Sequence, residues 1–372
     1  MIKLLMKKDQ NLSIIIDAFS RGGAQKVLQL LIPEFLKNYK TVTLFLLQEN
    51  KSEMHLDDLQ KLGLKIYRVE AKNFFDFRAF IKFMILIIKL KPSQIQAHLF
   101  WSQIWSIFIK LLLPKTQIYW VEHNTYLNRT LLQWKLYKFL SNFSSKIIVV
   151  SNEIDVFLKK KGIRENAVIF NPISSNFTYV KKDLAKPQFL FVGRLNEQKN
   201  PLLLLDSFNH AILNNLIPGS SKLSICGEGL LYKTLFEKRN LLPYKEQITF
   251  HGFLEEADLI TQYQNSMVFV STSIFEGFPL ARAEALASGC VVVTTKTGGI
   301  EGFLNSNDDM GMNNGIFIVD PNIESIALGM SEAISPSLWN DNSINYRVGV
   351  AGNLSPSKIA EFYFNLDVKS KF

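Results

Sequence analysis

Three stretches of the chain combine residue types that could do chemistry. In Phe191-Val192-Gly193-Arg194-Leu195-Asn196-Glu197-Gln198-Lys199-Asn200, two cations stand five residues apart, after an apolar run that reads as a strand and before a helix starting at Pro201. Two fixed cations at the mouth of a sheet suit a diphosphate, which carries charge on both phosphoryl groups. The competing reading is a solvated surface pair. In Phe275-Glu276-Gly277-Phe278-Pro279-Leu280, followed by Ala283-Glu284-Ala285 and Gly289, seven residues separate two carboxylates. The Gly-Phe-Pro run stops the preceding strand, and Pro279 suits the first turn of a helix. Glu276 then falls in the loop, where a carboxylate and backbone N–H groups can grip hydroxyls, and Glu284 falls on the helix. Two lone glutamates are ordinarily a cap or a solvated face; the small, apolar surroundings favour a site. The third stretch, Asp17–Gln25, joins the first strand to the first helix. Gly22 and Gly23 let the backbone approach a ligand, and the helix start offers free N–H groups to an anion. It is neither G-x-G-x-x-G nor a P-loop, and a tight turn explains it equally well.

The scaffold is legible as alternation. β-branched apolar runs at Leu12–Ile16, Thr41–Leu47, Leu64–Val69, Ile95–His98, Ile118–Glu122, Lys146–Val150 and Ala167–Phe170 read as strands. Ala24–Leu36, Phe77–Leu90 and Thr130–Phe143 read as packed helices between them. The rhythm repeats at Phe189–Val192, Lys222–Cys226, Gln247–His251, Met267–Val270, Val291–Thr294 and Gly315–Val319. Strands alternating with helices mean parallel sheets covered on both faces. The expected class is therefore α/β, with two doubly wound, Rossmann-like parallel-sheet domains facing across a cleft and ligand at the strand C-terminal ends. The boundaries are set at 1–180 and 181–354, with a C-terminal helix of about 355–372 packing back on the first domain.

The 372 residues are 47% hydrophobic and 20% charged, which excludes disorder. Cys226 and Cys290 are too few for a disulfide scaffold and read as free thiols. No apolar run is long enough to span a bilayer, and Met1–Gln10 lacks the pattern of a secretory signal. The net charge of +9 divides into +15 over residues 1–186 and −6 over 187–372. A basic half suits nucleic acid, an anionic membrane or a phosphorylated substrate. Arg78, Lys82 and Lys89 form a stripe on an apolar helix, and a second helix mixes Trp134, Lys135, Tyr137, Lys138 and Phe139. Basic stripes with aromatics suit a membrane interface; ordinary packed helices with snorkelling lysines are the alternative. No Asp-x-Asp follows a strand, Asp308-Asp309 reads as a loop, and no Cys/His spacing suits zinc. No metal and no other cofactor is expected.

Several short motifs, in order and spacing, carry a resemblance. They are Arg21-Gly22-Gly23-Ala24, Glu122-His123-Asn124, Ser151-Asn152, Phe170-Asn171-Pro172, Val192-Gly193-Arg194-Leu195 with Lys199, Ile225-Cys226-Gly227-Glu228-Gly229, His251-Gly252-Phe253, and Glu276-Gly277-Phe278-Pro279 with Glu284 and Gly289. The chain resembles the retaining, nucleotide-sugar-dependent glycosyltransferases of family 4, with their two-domain glycosyltransferase-B fold, over nearly its whole length. Val291, and Ile300-Glu301 after Gly298-Gly299, depart from prolines common in the family and bear on donor preference.

The resemblance implies roles. Arg194 and Lys199 bind the donor diphosphate and stabilise the leaving group. Glu276 contacts donor-sugar hydroxyls, helped by backbone at Gly277, Phe278, Pro279 and Leu280, and Glu284 holds the ribose. The base lies against Phe253 and Leu254, and Gly22 and Gly23 close over the phosphates or the reacting sugar. His123 faces the sugar, with His98 structural or lining the acceptor. The reading is a metal-independent transferase on the cytosolic face of the membrane. Its donor is a nucleotide sugar, a UDP-sugar, and its acceptor a lipid-linked or cell-envelope glycan. The proposed membrane surface is Arg78, Lys82, Lys89, Trp134 and Lys138, used peripherally on the inner face. Alternatives are a soluble sugar or phosphosugar acceptor, a sugar-nucleotide epimerase, and, well behind, a nucleic-acid-binding protein, for which no motif is present.

Overall fold

The computed structural model describes residues 7–20, 22–48, 56–124, 129–163, 166–299 and 313–366. Arg21, Ile300-Glu301 and Asp308-Asp309 lie outside the described residues. The chain divides into two compact units, Met1–Pro172 with Pro356–Phe372, and Ile173–Ser355.

The first unit runs β1 (Lys7–Ile16), α1 (Gly23–Asn38), β2 (Tyr39–Gln48), α2 (Leu56–Lys61), β3 (Lys65–Ala71), α3 (Phe77–Leu90), β4 (Gln94–His98), α4 (Phe100–Ile107), α5 (Ile109–Leu112), β5 (Gln117–Glu122), α6 (Leu131–Ser141), β6 (Lys146–Val149), α7 (Asn152–Lys160) and β7 (Ala167–Val168). Its sheet is parallel, in the order β3-β2-β1-β4-β5-β6-β7. Ile14, Ile15 and Ile16 are all fully buried, as strands covered on both faces require. The apolar run Leu99–Leu113 becomes two short helices that meet at Phe108.

The second unit runs β8 (Gln188–Val192), α8 (Pro201–Leu213), β9 (Lys222–Cys226), α9 (Tyr232–Asn240), β10 (Ile248–Gly252), α10 (Glu256–Asn265), β11 (Val268–Ser271), α11 (Leu280–Ala287), β12 (Val291–Thr295), β13 (Ile316–Val319), α12 (Ile323–Ala333) and α13 (Asp341–Gly352). Its parallel sheet has the order β10-β9-β8-β11-β12-β13. The last helix, α14 (Pro356–Phe364), belongs to the first unit. There the rings of Tyr363 and Phe364 pack 5.6 and 6.0 Å from that of Phe35 on α1.

The division falls at Pro172 rather than at residue 180, because the segment beyond it is tied to the second unit. Ser174 Oγ and Asn176 Nδ2 both donate to Glu256 Oε1, at 2.8 and 2.9 Å. Lys182 Nζ donates to the carbonyls of Tyr263 and Gln264 at 2.6 and 3.0 Å, filling the C-terminal end of α10 with a buried cation.

In each sheet the strand order reverses at one point, between β1 and β4 and between β8 and β11. At such a point the connections depart to opposite sides and leave a crevice at the strand ends. In the second unit β8 and β11 pair only at Phe189–Val268 and Leu190–Phe269, so their C-terminal ends part.

Candidate active site

The crevice between β8 and β11 is lined by Val192, Lys199, Ser271, Ser273, Glu276, Pro279 and Arg282, among others. Two loops form its rim and are laced together. Thr272 Oγ1 donates to the carbonyls of Lys199 and Asn200 at 3.1 and 2.8 Å. Gln198 Nε2 donates to the Phe275 carbonyl at 3.0 Å, and Ile274 N to the Gln198 carbonyl at 2.8 Å. These bonds bring Lys199 Nζ onto Glu276 Oε1 as an ion pair, and Ser273 Oγ donates to the same oxygen at 2.7 Å. Burial pushes the Glu276 carboxyl up, but Lys199 and Arg282 with the hydrogen bonds outweigh it, so it sits below the usual carboxylate range. Glu276 is thus a carboxylate fixed in place, able to accept hydrogen bonds from hydroxyls. Arg194 is exposed at the same loop. Among the described residues it has no ion pair, so its charge is available to an anion.

Arg282, which the motif reading passed over, is fully buried on α11 and donates to Thr297 Oγ1. A single arginine in the small-residue helix Leu280–Ala287 was the signal for it. Pro279 stands one position ahead of α11, as its N-cap, rather than in its first turn. Gly277, Phe278 and Pro279 are buried and Leu280 half-buried around it. Glu284 is buried on α11 and accepts a 3.0 Å hydrogen bond from Tyr263 Oη. Burial first, then Glu284, holds the Tyr263 hydroxyl well above its usual range, so it remains a donor. Phe253 is exposed and Leu254 half-buried after β10.

The loop Gly227-Glu228-Gly229 is seated against the cation loop. Gly193 N donates to the Cys226 carbonyl at 3.0 Å, and Leu195 N to that of Glu228 at 2.8 Å. Gly227 has φ +137°, and a Cβ there would lie 1.9 Å from the Gly193 carbonyl oxygen. No other residue type fits that approach.

In the first unit, the strand ends beside the switch point gather Asp17, His98 and His123. Asp17 caps α4: its Oδ1 accepts from Ser102 N and Oγ at 2.8 and 2.6 Å, and its Oδ2 from Trp101 N at 3.3 Å. Burial raises its carboxyl to about 6 against those bonds. His98 Nδ1 and His123 Nε2 are 2.9 Å apart, with the rings stacked at 5.2 Å. Burial lowers His123 to about 4, and burial followed by the His123 charge lowers His98 further below its usual value, so both are neutral near pH 7. Gly22 is the N-cap of α1 in extended conformation, and a Cβ on it would meet the side chain of Gln25 at 2.5 Å. A Cβ on Gly23 would meet nothing within 4 Å.

Arg78, Lys82, Lys89 and Lys138 are exposed, with Lys82 3.3 Å from Glu70. Trp134 is half-buried. It packs on Tyr137 and Phe157, with the Arg129 guanidinium 5.1 Å from its ring centroid. Arg129 itself makes a buried ion pair with Glu122 at 3.0 Å. The apolar side chains that do reach solvent include Phe75, Phe77, Ile81 and Ile85 near and on α3, and Leu131, Leu132, Leu136 and Phe139 on α6.

Two doubly wound parallel sheets, with polar side chains gathered at their switch points, define the glycosyltransferase-B class. The chain belongs to the family described as glycosyl transferases group 1, which matches residues 175–368, while the Glycosyltransferase Family 4 description matches residues 21–177. It is 25% identical over 312 residues, 80% of this chain and 83% of the relative, to the Campylobacter jejuni enzyme GalNAc-alpha-(1->4)-GalNAc-alpha-(1->3)-diNAcBac-PP-undecaprenol alpha-1,4-N-acetyl-D-galactosaminyltransferase. It is 29% identical over 185 residues, 48% of this chain and 46% of the relative, to the UDP-Gal:alpha-D-GlcNAc-diphosphoundecaprenol alpha-1,3-galactosyltransferase of Escherichia coli. Among solved structures, Anabaena HepE in complex with UDP and glucose matches with a TM-score of 0.78 at 15% identity, over 96% of this chain and 99% of that one. Sucrose-phosphate synthase from Thermosynechococcus elongatus matches with 0.75 at 16% identity, over 96% and 98%. At these identities the likeness to solved structures is one of fold. Among the described residues no helix is long and apolar enough to cross a membrane.

Proposed function

We propose that the protein transfers a sugar from a UDP-sugar to a lipid-linked or cell-envelope glycan, with retention of configuration and without a metal ion. The observation that carries this reading is the Lys199–Glu276 pair at the β8/β11 crevice beside an exposed Arg194. A diphosphate entering there meets two cations, and charge growing on the leaving phosphate is stabilised by groups already in place. That is the task a divalent ion performs in other transferases. Lys199 shares its ammonium between the phosphate and Glu276, whose second oxygen faces sugar hydroxyls. Glu284 takes the ribose hydroxyls, and Phe253 with Leu254 takes the base. His123, being neutral, serves as a hydrogen-bonding group for the sugar rather than a charge. The departing phosphate accepts the acceptor's proton, which leaves Glu276 to its hydroxyls. The lipid-linked acceptor is supported by the diphosphoundecaprenol named in both relatives. A peripheral stance on the inner membrane face is supported by basic side chains beside exposed Phe77, Ile81 and Phe139. Neither nucleic acid nor any cofactor has a place in this reading.

The test is to incubate the purified chain with UDP-galactose, UDP-N-acetylgalactosamine and GDP-mannose, each with a polyprenyl-diphosphate glycan, after exhaustive chelation. Release of UDP from one donor, with the donor's anomeric configuration kept in the product, is the expected result. Loss of turnover on chelation with recovery in magnesium or manganese would overturn the metal-free step. Turnover of GDP-mannose alone would overturn the base assignment, and an inverted product the retention.

A further inference from the structure

An arginine sealed inside a short helix of small residues needs a reason, because a buried cation is tolerated only where it is hydrogen-bonded and faces an opposite charge. Arg282 is fully buried on α11, between Ala281 and Ala283. Its Nη2 donates to Thr297 Oγ1, in the loop after β12. That loop is held against the rim of the β8/β11 crevice. Thr295 Oγ1 donates to the Ser273 carbonyl at 2.6 Å, and a Cβ on Gly299 would lie 2.5 Å from Pro279 Cδ. The Thr297 hydroxyl anchors the guanidinium but brings no counter-charge. The carboxylate lining the same crevice is Glu276.

The charged groups that face Glu276 are Lys199, from the loop after β8, and Arg282, from α11. The loop after β11 adds the Ser273 hydroxyl. Lys296, after β12, is exposed, and Glu284, further along α11, accepts from Tyr263. The two facing cations differ in access. Lys199 keeps 18% of its side chain open to solvent, whereas Arg282 is closed off. A phosphate entering the crevice can therefore draw on the ammonium but not on the guanidinium. Once the ammonium is shared, Glu276 stands beside new negative charge on both phosphoryl groups, and like charges at close range favour its protonated form. With Arg282 present the charges balance: Arg194, Lys199 and Arg282 against Glu276 and the two phosphoryl groups. Without it, the occupied crevice carries a net negative charge.

We propose that Arg282 is a positioning residue of the transfer reaction: a sealed cation that stays with Glu276 when the donor diphosphate takes a share of the Lys199 ammonium, so that the carboxylate keeps its charge and its place toward the sugar hydroxyls. This rests on the reading of Lys199 as a diphosphate ligand and of Glu276 as an acceptor for sugar hydroxyls. A protonated Glu276 presents a hydrogen where the sugar needs an acceptor. The loss of Arg282 is therefore felt as a change in pH dependence once the donor is bound.

The experiment compares Arg282→Gln, Arg282→Lys, Thr297→Val and Glu276→Gln in the full chain. It follows UDP release from the UDP-sugar that the parent turns over best, with the polyprenyl-diphosphate glycan in excess, across about pH 5 to 9. The profile of kcat reports groups in the donor complex, and that of kcat/KM groups in the free protein. The acid limb of kcat should move up by about 1–3 pH units in Arg282→Gln. That of kcat/KM should move less, since Lys199 still faces Glu276 before the donor binds. Arg282→Lys should bring the limb back toward the parent's position. Thr297→Val, which removes the anchor and keeps the charge, should move it in the same direction by a smaller step. An arginine that only supports the fold would lower turnover alike at every pH and leave both limbs in place. Limbs unmoved in folded Arg282→Gln, with Glu276→Gln impaired, would overturn the role of Arg282 and leave the donor site standing. Parent-like turnover in Glu276→Gln, or no UDP release by the parent from any UDP-sugar, would sink the reading beneath it and this proposal together. If Arg282→Gln does not fold, an unmoved limb in Thr297→Val overturns the proposal as well.

Discussion

Lys199 and Glu276 neutralise each other before any donor arrives, so removing one affects both fold and chemistry. Lys199→Ala leaves a buried carboxylate with Ser273 and Arg282 for company, and losing one partner of a buried pair costs about 3–5 kcal/mol, less here because Lys199 is partly open to water. It also removes a stabiliser of the leaving group, worth about 100- to 1,000-fold in kcat. We expect Lys199→Ala to lower both melting temperature and turnover, and Lys199→Ala with Glu276→Gln to recover the melting temperature only. Turnover near the parent's in either variant would refute the clamp. The titrating groups of the first unit give a second prediction. His98 and His123 stay neutral in the fold, His123 down to about 4, against a usual 6.5. Below about pH 6.5 the unfolded chain binds protons that the fold does not, so their contribution is present above that pH and is lost as pH falls toward 4. Asp17, raised from 3.8 to about 6, has the opposite sign: its protonated form suits the fold, and stability is lost as pH rises across that window. Urea unfolding should therefore show His98→Asn gaining stability, relative to the parent, more at about pH 5 than above pH 7, and Asp17→Asn gaining more above pH 7. The same sign for both would contradict the burial assigned to one of them.

At the scale of elements, the β8/β11 crevice is built by loops whose own contacts admit few substitutions. Gly227→Ala should force its Cβ into the Gly193 carbonyl and shift the loop that carries Arg194. It should cost about 1–3 kcal/mol by its backbone conformation alone and weaken UDP binding by calorimetry; unchanged UDP affinity would mean the loop does not position the cations. The strands were readable because burial on both faces leaves an uninterrupted β-branched run, as in Ile14–Ile16 and Val291–Val293. Pairings made in space were not. Arg129 with Glu122 is separated by seven positions, His98 with His123 by twenty-five, and nothing in the sequence beyond its small neighbours marks Arg282 as buried. The packing of Trp134 on Phe157 was likewise hidden, because an aromatic beside lysines reads the same with or without such a neighbour. What remains exposed on α3 and α6 still predicts membrane behaviour. Each basic side chain near an anionic bilayer contributes on the order of 1 kcal/mol, screened by salt, while Phe77, Ile81 and Phe139 add a salt-insensitive part. Co-sedimentation with anionic vesicles should weaken in high salt and with Lys82→Glu plus Lys138→Glu, without vanishing. Equal binding to neutral vesicles would remove the electrostatic part.

For the molecule as a whole, the split of charge between its halves nearly follows the split into units: the basic excess lies in the half that carries α3 and α6, and the acidic excess in the half that carries the β8/β11 crevice. A diphosphate bound there as proposed would depend on local cations, Arg194 and Lys199, within a unit whose net charge repels anions, so general attraction could not replace those two side chains. Both the fold class and this crevice were legible in advance because the motifs sit at strand ends, where spacing in sequence translates directly into place. The return of α14 to α1 has a consequence for how the chain is made. The second unit is one unbroken stretch, Ile173–Ser355, whereas the first is completed only by a helix synthesised after it. Until Tyr363 and Phe364 emerge from the ribosome, Phe35 lacks two of its ring partners. The half that begins first is thus finished last, and through much of synthesis it waits with an uncovered apolar seam, the kind of surface that chaperones bind.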